Sequence, residues 1–231
     1  KIVSYHEAGH AVVGIKLDGA HDVQKITIIP RGQAGGYNLM LPKEETYLST
    51  KKELLETISG LLGGRVAEVL KFGEMTTGAH NDFEKATKIA RAMVTEYGMS
   101  SLGPVQFEQQ SEGSVFLGRD YNKSRNFSGQ IAFQIDEEMR KIINDQYKVT
   151  EKIIKENMDL LELIAKTLIE KETLTKEEID SLVKNGSLPN DDVSFEDMTI
   201  AELKKYAEEN NISLNSTKKE DIIKELKDAN K

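Results

Sequence analysis

Tyr5-His6-Glu7-Ala8-Gly9-His10-Ala11-Val12-Val13 is the stretch on which the reading of this chain turns. It contains His-Glu-x-x-His. On a helix, His6 and His10 lie four residues apart on one face, so both imidazoles reach a single cation. Glu7 is turned by about 100 degrees from His6, which puts its carboxylate beside such an ion rather than on it. From there it can take a proton from an attacking water. Zinc suits this donor set, with imidazole or carboxylate ligands and one position left open. Ile2, Val3, Ala8, Ala11, Val12 and Ile15 are helix-compatible and mostly apolar. The same letters also suit an amphipathic helix whose two histidines face water.

Composition narrows the rest. The chain has 231 residues, 38% of them hydrophobic, enough for one sizeable core and a smaller appendage. A net charge of −8 argues against a general nucleic-acid-binding surface. With no cysteine, disulfides, thiolate nucleophiles and cysteine-bound zinc are excluded. No apolar run approaches the roughly 20 residues that span a bilayer, and no signal peptide is present, so the chain as given reads as soluble. Lys1 stands five residues before His6 with no Ser, Thr, Asp or Asn cap upstream, which reads as a piece of a longer protein cut near a domain boundary.

Working outward, the first helix runs from residue 1 to about 18, ending near Asp18-Gly19. Val23–Ile29 is β-branched and predicts a strand. Residues 30–36 form a glycine-rich turn, and Tyr37–Leu41 a second strand stopped by Pro42, together a hairpin. An exposed strand edge beside a metal site can bind an extended peptide through main-chain hydrogen bonds, although a hairpin that only covers the core has the same sequence. Thr50-x-x-Glu53 is a capping box opening a helix to about Phe72. Gly60, Gly63 and Gly64 lie inside it at three- and four-residue spacing, which predicts another helix approaching closely, for packing rather than ligand contact.

A helix follows from about Ala79 to Tyr97, with Phe83, Ala86, Ile89, Ala90, Met93 and Val94 at helical spacing. Residues 105–125 read as a loop with a short strand at Val115–Leu117. Residues 128–170 are helical throughout, with a break expected at Thr150. Thr175-x-x-Glu178 caps a short helix to about Val183. The expected fold is therefore mainly α (α+β): a helical domain with a small β-hairpin or sheet, over residues 1–184. Residues 185–195 read as a linker by composition. Residues 196–231 read as a small helical module, with Thr199-x-x-Glu202 and Thr217-x-x-Glu220 each opening a helix.

A site of this kind needs a third protein ligand. His21 lies just past the first helix, on a turn that leads away from the face of His6 and His10, and reads as a surface residue. Glu68, His80 and Asp82 remain as candidates on elements that can pack against the first helix. Asp82 equally suits a first-turn carboxylate stabilising the dipole of its own helix.

Several motifs occur in one order: His6-Glu-Ala-Gly-His10-Ala, Ile29-Pro-Arg-Gly-x-Ala-Gly-Gly-Tyr37, Gly63-Gly-Arg-x-Ala-Glu68 and Thr76-Thr-Gly-Ala-x-Asn-Asp82. Ala90-Arg-x-Met-Val-Thr-x-Tyr-Gly-Met-Ser100 and Leu102-Gly-Pro104 continue the series. Over residues 1–184 the chain resembles the protease domain of the FtsH-type, membrane-anchored, ATP-dependent zinc metalloproteases. The resemblance implies zinc held by His6, His10 and Asp82, with Glu7 as general base; Glu68 matches a family glutamate that rivals Asp82 as third ligand, and is expected instead behind the ligands or in a structural role. The resemblance also implies an endopeptidase; the substrate is expected to lie extended along the hairpin, at Gly35, Gly36 and Tyr37.

For the full-length protein the resemblance implies a homo-hexamer at the cytoplasmic face of the bacterial plasma membrane. ATPase and membrane segments would lie upstream, and the substrates would be unfolded or membrane proteins. The chain itself holds no Gly-x-x-x-x-Gly-Lys-Ser/Thr phosphate loop, so nucleotide chemistry is not assigned to it. The stretch Met198-Thr-Ile-Ala-Glu-Leu-Lys-Lys-Tyr-Ala-Glu-Glu-Asn resembles helix–extended–helix modules of the SAP and Rho-N-terminal type. Nine acidic residues against seven basic ones from Glu196 onward favour protein docking or spacing over phosphate contact. Two other readings stay open at this point: a non-catalytic oligomerisation or adaptor domain that keeps the fold, and a metal-stabilised structural bundle.

Overall fold

The computed structural model describes residues 1–17, 21–30, 35–42, 48–108, 127–189 and 198–229, except 210, 211, 213 and 215. The chain divides into two compact units, Lys1–Ser187 and Leu188–Lys231.

In the first unit, helix α1 (Ile2–Lys16) is the central element, and every residue from Ser4 to Val13 is buried. A helix buried all round is a core helix, and this overturns the alternative of histidines facing water. Its polar groups are satisfied inside the fold. Ser4 Oγ donates to Lys1 O at 2.7 Å, and Tyr5 Oη donates to Glu162 Oε2 at 2.8 Å. Leu17, in extended backbone, ends the helix before the expected Asp18-Gly19 stop, which lies outside the described residues.

Helix α2 (Lys51–Phe72) opens with the expected capping box: Glu53 N donates to Thr50 Oγ1, and Thr50 N donates to Glu53 Oε2. It crosses α1 at two glycines. A Cβ on Gly9 would lie 2.4 Å from Gly63 O, and one on Gly63 would lie 2.7 Å from Gly9 O. The backbones therefore touch, which compensates for glycine's poor helix propensity of about 1 kcal/mol. Gly60 does not follow this pattern, because a Cβ there meets nothing within 4 Å.

A 3-10 turn at Thr77–Ala79 leads into helix α3 (His80–Thr95), whose Ala86, Ala90 and Met93 pack on Ile58 and Leu62 of α2. It ends before the expected Tyr97, where Met99 N turns back to Met93 O and Gly98 takes φ +61°. The predicted strand at Val115–Leu117, and residues 109–126 around it, lie outside the described residues.

The long helical run divides into α4 (Gly129–Glu156) and α5 (Met158–Lys171), at Asn157 rather than at the expected Thr150. Thr150 is fully buried within α4, and its hydroxyl donates to Ser59 O at 3.1 Å. A β-branched residue with an acceptor across the interface has no reason to end a helix. Asn157 leaves the helical region (φ −128°, ψ 33°), and its side chain donates to Ile153 O at 2.8 Å. Asparagine competes in this way for local backbone groups.

The sheet has three antiparallel strands in the order β2-β1-β3: β1 (His21–Thr27), β2 (Tyr37–Pro42) and β3 (Thr173–Thr175). The two strands of the hairpin were legible, although β1 sits two residues earlier than predicted at each end. The turn residues 31–34 lie outside the described residues. Three residues are too few for β3 to show a period. It joins because buried Leu174 pairs with buried Ile26. The strand order leaves β2 at one margin of the sheet. Thr175 and Glu178 form the capping box of helix α6 (Lys176–Asn185).

The second unit contains α7 (Ile200–Glu209) and α8 (Lys219–Ala229), packed through Leu203, Ala207, Ile222 and Leu226. Thr199 and Glu202 bond reciprocally at the start of α7. Helix α8 opens at Lys219, not at the expected Thr217, and Ile222 N bonds Lys218 O in its first turn. Ser216 instead donates to Glu225 Oε1 at 2.6 Å, drawing the preceding segment alongside the helix. Residues 190–195 of the expected linker, and 196–197 of the expected module, lie outside the described residues. Among the described residues, no helix is long and apolar enough to cross a membrane.

Candidate metal centre

His6 and His10 are one turn apart on α1, and the partner of each Nδ1 orients the ring. His6 Nδ1 donates to Glu68 Oε1 at 2.8 Å, and His10 Nδ1 donates to Gly60 O at 2.8 Å. Both partners only accept, so in each ring the Nδ1 carries the hydrogen and the Nε2 keeps its lone pair. The two Nε2 atoms face each other at 3.1 Å. Asp82 Oδ2, from the first turn of α3, stands 3.4 Å from each of them.

With both rings neutral, these three atoms are all acceptors, and they repel one another unless a proton or a metal cation lies between them. A tetrahedral ion with ligand distances of about 2.0–2.1 Å holds its ligand atoms about 3.3 Å apart, so the triangle has the dimensions such an ion needs. These three residues form a group of potential metal-ligating side chains. The electrostatics agree. Burial pushes the Asp82 carboxyl up, but the hydrogen bonds and charges of His10 and His6 outweigh it and hold the group well below the usual carboxylate range. Burial pulls His10 down, and the greater opposing effect of Asp82, Glu7 and Gly60 O raises it. The gap attracts positive charge.

Glu7 lies beside this triangle and is buried. Burial lifts its carboxyl above the ordinary value, against the opposing pull of His10, His6 and Asn38. Asn38 Nδ2 donates to Glu7 Oε2 at 2.5 Å and to Glu7 O at 3.0 Å. Gly36 leaves the room that the carboxylate occupies, since a Cβ there would lie 2.9 Å from Oε1.

Glu68 stands behind His6. Its Oε1 accepts from the Thr76 hydroxyl at 2.9 Å as well as from His6, and its Oε2 accepts from Thr76 N at 3.0 Å. Burial works against ionisation here, but these bonds outweigh it and lower the carboxyl. Arg65 Nη2 donates to Thr76 O at 2.7 Å and closes the cluster.

Gly64 belongs to this site and not to the helix crossing. A Cβ there would lie 2.5 Å from His6 Nε2 and 2.6 Å from His10 Nε2. The sequence reading assigned this glycine to packing; the tips of the two imidazoles fill the space instead.

A cleft of about 750 Å³ opens over the triangle, and Gly35, Gly36 and Tyr37 line it together with His6, Glu7 and Asp82. His80, one of the sequence candidates for third ligand, lines the same cleft but is exposed. The side chain of His21 lies outside the described residues. Sequence reasoning missed Asn38, Thr76 and the Gly60 carbonyl. A backbone carbonyl leaves no signature in the sequence, and Asn38 has no motif of its own. The doubled glycine at 63–64 was the available signal for Gly64.

A His-Glu-x-x-His core helix, a carboxylate from a second helix and a strand-lined cleft over both define a metallopeptidase. The chain belongs to peptidase family M41, which it matches over residues 1–182. It is 56% identical over 214 residues to the "ATP-dependent zinc metalloprotease FtsH" of Bacillus subtilis, a match covering 88% of this chain and 34% of that protein. Its identity to the protein of that name from Alkalihalophilus pseudofirmus is 59% over 192 residues, covering 83% and 28% respectively. For Acholeplasma laidlawii the figures are 57% over 188 residues, covering 81% and 29%. The chain thus spans about a third of the length of these curated relatives, or somewhat less.

Proposed function

We propose that residues 1–184 are a zinc-dependent endopeptidase domain, joined by a linker at 185–195 to a helix–extended–helix module at 196–231. His6, His10 and Asp82 hold the zinc, and Glu7 is the general base. The observation that carries this reading is the triangle of two Nε2 atoms 3.1 Å apart and one carboxylate oxygen 3.4 Å from each, with a buried glutamate beside it. When bound, zinc supplies a Lewis acid that acidifies a water and polarises the scissile carbonyl. Glu7 accepts the proton of the attacking water and passes it to the leaving amine. Glu68 and Gly60 O keep both imidazoles in the tautomer whose Nε2 can ligate.

The substrate chain lies extended against β2, with Gly35, Gly36 and Tyr37 at its entry to the cleft. The marginal position of β2 and the lining of the cleft support this placement. Proline or charge-reversing substitutions in residues 35–41 that left peptide cleavage unchanged would refute it.

The whole protein is proposed to be ATP-dependent, as the names of its relatives read. It would carry ATPase and membrane segments upstream and assemble as a homo-hexamer at the cytoplasmic face of the bacterial plasma membrane. There it would degrade unfolded and membrane proteins. The deciding experiment is metal analysis coupled to casein hydrolysis for the wild type, Glu7→Gln and Asp82→Asn. Wild type and Glu7→Gln retain stoichiometric zinc, Glu7→Gln loses cleavage, and Asp82→Asn loses both. A wild type without zinc, or a Glu7→Gln variant that still cleaves, would overturn the assignment.

A further inference from the structure

Asn38 is an unusual residue for its place. It lies in β2, one residue after the strand begins, where asparagine is disfavoured, and it pairs in register with Ile26. Its amide reaches from the strand to α1 and bonds one residue twice. The same Nδ2 donates to the main-chain carbonyl of Glu7 at 3.0 Å and to the carboxylate Oε2 at 2.5 Å. The other amide atom, Oδ1, is buried with no hydrogen-bond partner. A buried amide oxygen left unpaired costs folding free energy. The amide orientation is therefore set by what Nδ2 does for Glu7, not by what Asn38 gains for itself.

The second wall of this arrangement is Gly36, whose missing side chain leaves room for Glu7 Oε1. One carboxylate oxygen is tied to the strand and the other is turned toward the gap at Gly36. Glutamate on a helix has three rotatable side-chain torsions, and a base must hold one rotamer to accept a proton without reorganisation.

We propose that Asn38 is a positioning residue for the general base: it locks the Glu7 carboxylate to β2, the strand that borders the substrate cleft. This rests on the zinc-peptidase reading of Glu7. The strand that aligns the substrate is then also the strand that aligns the base, and the two are registered to each other through one amide.

The test uses the full 231-residue chain. Asn38→Leu keeps the shape and removes the donor; Asn38→Ala removes both. Each is compared with wild type for zinc content, thermal midpoint, and kcat and KM on an unstructured fluorogenic peptide. The expected result is a loss of kcat of roughly tenfold to a hundredfold, with KM, zinc content and thermal midpoint at wild-type values. A merely structural role would move KM, zinc or the midpoint together with kcat. The second readout needs no turnover. In the amide spectrum of the zinc-loaded wild type, one Asn38 Nδ2 proton is displaced downfield and exchanges slowly, and the displacement collapses in Glu7→Ala. Wild-type kcat in both Asn38 variants, or an undisplaced amide proton, overturns the inference. No cleavage by the zinc-loaded wild type overturns the peptidase reading and with it the catalytic half of this inference, while a displaced amide proton still shows the bond.

Discussion

His6 Nδ1 and Glu68 Oε1 lie 2.8 Å apart in the interior, and that contact decides what the far side of the imidazole can do. Glu68 can only accept, so the ring presents a lone pair to the gap shared with His10 and Asp82. Replacing Glu68 by Gln puts a donor and an acceptor where there was only an acceptor, and the tautomer is no longer fixed. Zinc affinity should fall about tenfold to a hundredfold in Glu68→Gln, measured by competition with a chromogenic chelator. Unchanged affinity would mean that the contact serves only the Thr76 turn.

Gly64 separates metal binding from folding. A side chain there collides with the ring tips, because a Cβ would lie 2.5 Å from His6 Nε2. Zinc stabilises whichever state binds it, by about 2.7 kcal/mol at a hundredfold excess over the dissociation constant. In wild type the thermal midpoint should therefore rise with added zinc. In Gly64→Ala that rise should vanish, whatever happens to the zinc-free midpoint. A zinc-dependent rise of wild-type size in the variant would show that the rings have room to retreat.

Glu162 predicts how stability varies with pH. Lys71 Nζ and Tyr5 Oη both donate to it, tying α1, α2 and α5 together. The Lys71 bond is the larger cause and the Tyr5 bond the next, and together they hold the carboxyl below its ordinary value. A carboxyl lowered on folding stabilises the protein above its unfolded pKa of about 4.3, and that contribution is lost as pH falls through the lower folded value. In zinc-free protein, where acid cannot act by stripping metal, urea midpoints should fall below that pH. In Glu162→Gln the acid dependence should flatten, because no carboxyl is left there to titrate. Parallel curves for the two proteins would refute the assignment.

Glu172 ends α5 with φ 61°, and it is the one non-glycine residue with positive φ among the described residues. The backbone there serves the sheet, since Glu172 O accepts from Ile28 N at 2.9 Å and from the Thr27 hydroxyl at 3.1 Å. Glycine adopts this conformation without steric cost. Glu172→Gly should raise stability by about 0.5–1 kcal/mol in urea unfolding. A loss of that size would show that glycine's freedom in the unfolded chain outweighs the strain.

Much of the centre was legible because its chemistry is local. His6, Glu7 and His10 fall within one helical turn, and their spacing alone brings the two rings to one point. Asp82 was a different matter. From the residues alone it competed with Glu68 and His80, and only a resemblance of motifs singled it out. What set these three apart is the packing of α2 and α3 on α1, a long-range property with no period. The helices were legible wherever a capping box or an apolar stripe marked them, as at Thr50 and Thr175. Their breaks were less so: Thr150 has a low helix propensity, yet Ser59 O across the interface keeps it helical. The strand at Thr173–Thr175 is held by Ile26 from far along the chain, and nothing within three residues announces it.

The burial of α1 has a consequence for the life of the protein. His6, Glu7 and His10 share one helix with no exposed face between Ser4 and Val13, but Gly60, Glu68 and Asp82, which complete the cluster, come from α2 and α3. A nascent or half-assembled chain has the letters of the motif but no place for them to meet. The triangle therefore exists only where α2 and α3 have packed on α1, so the site and the core of the first unit come into being together.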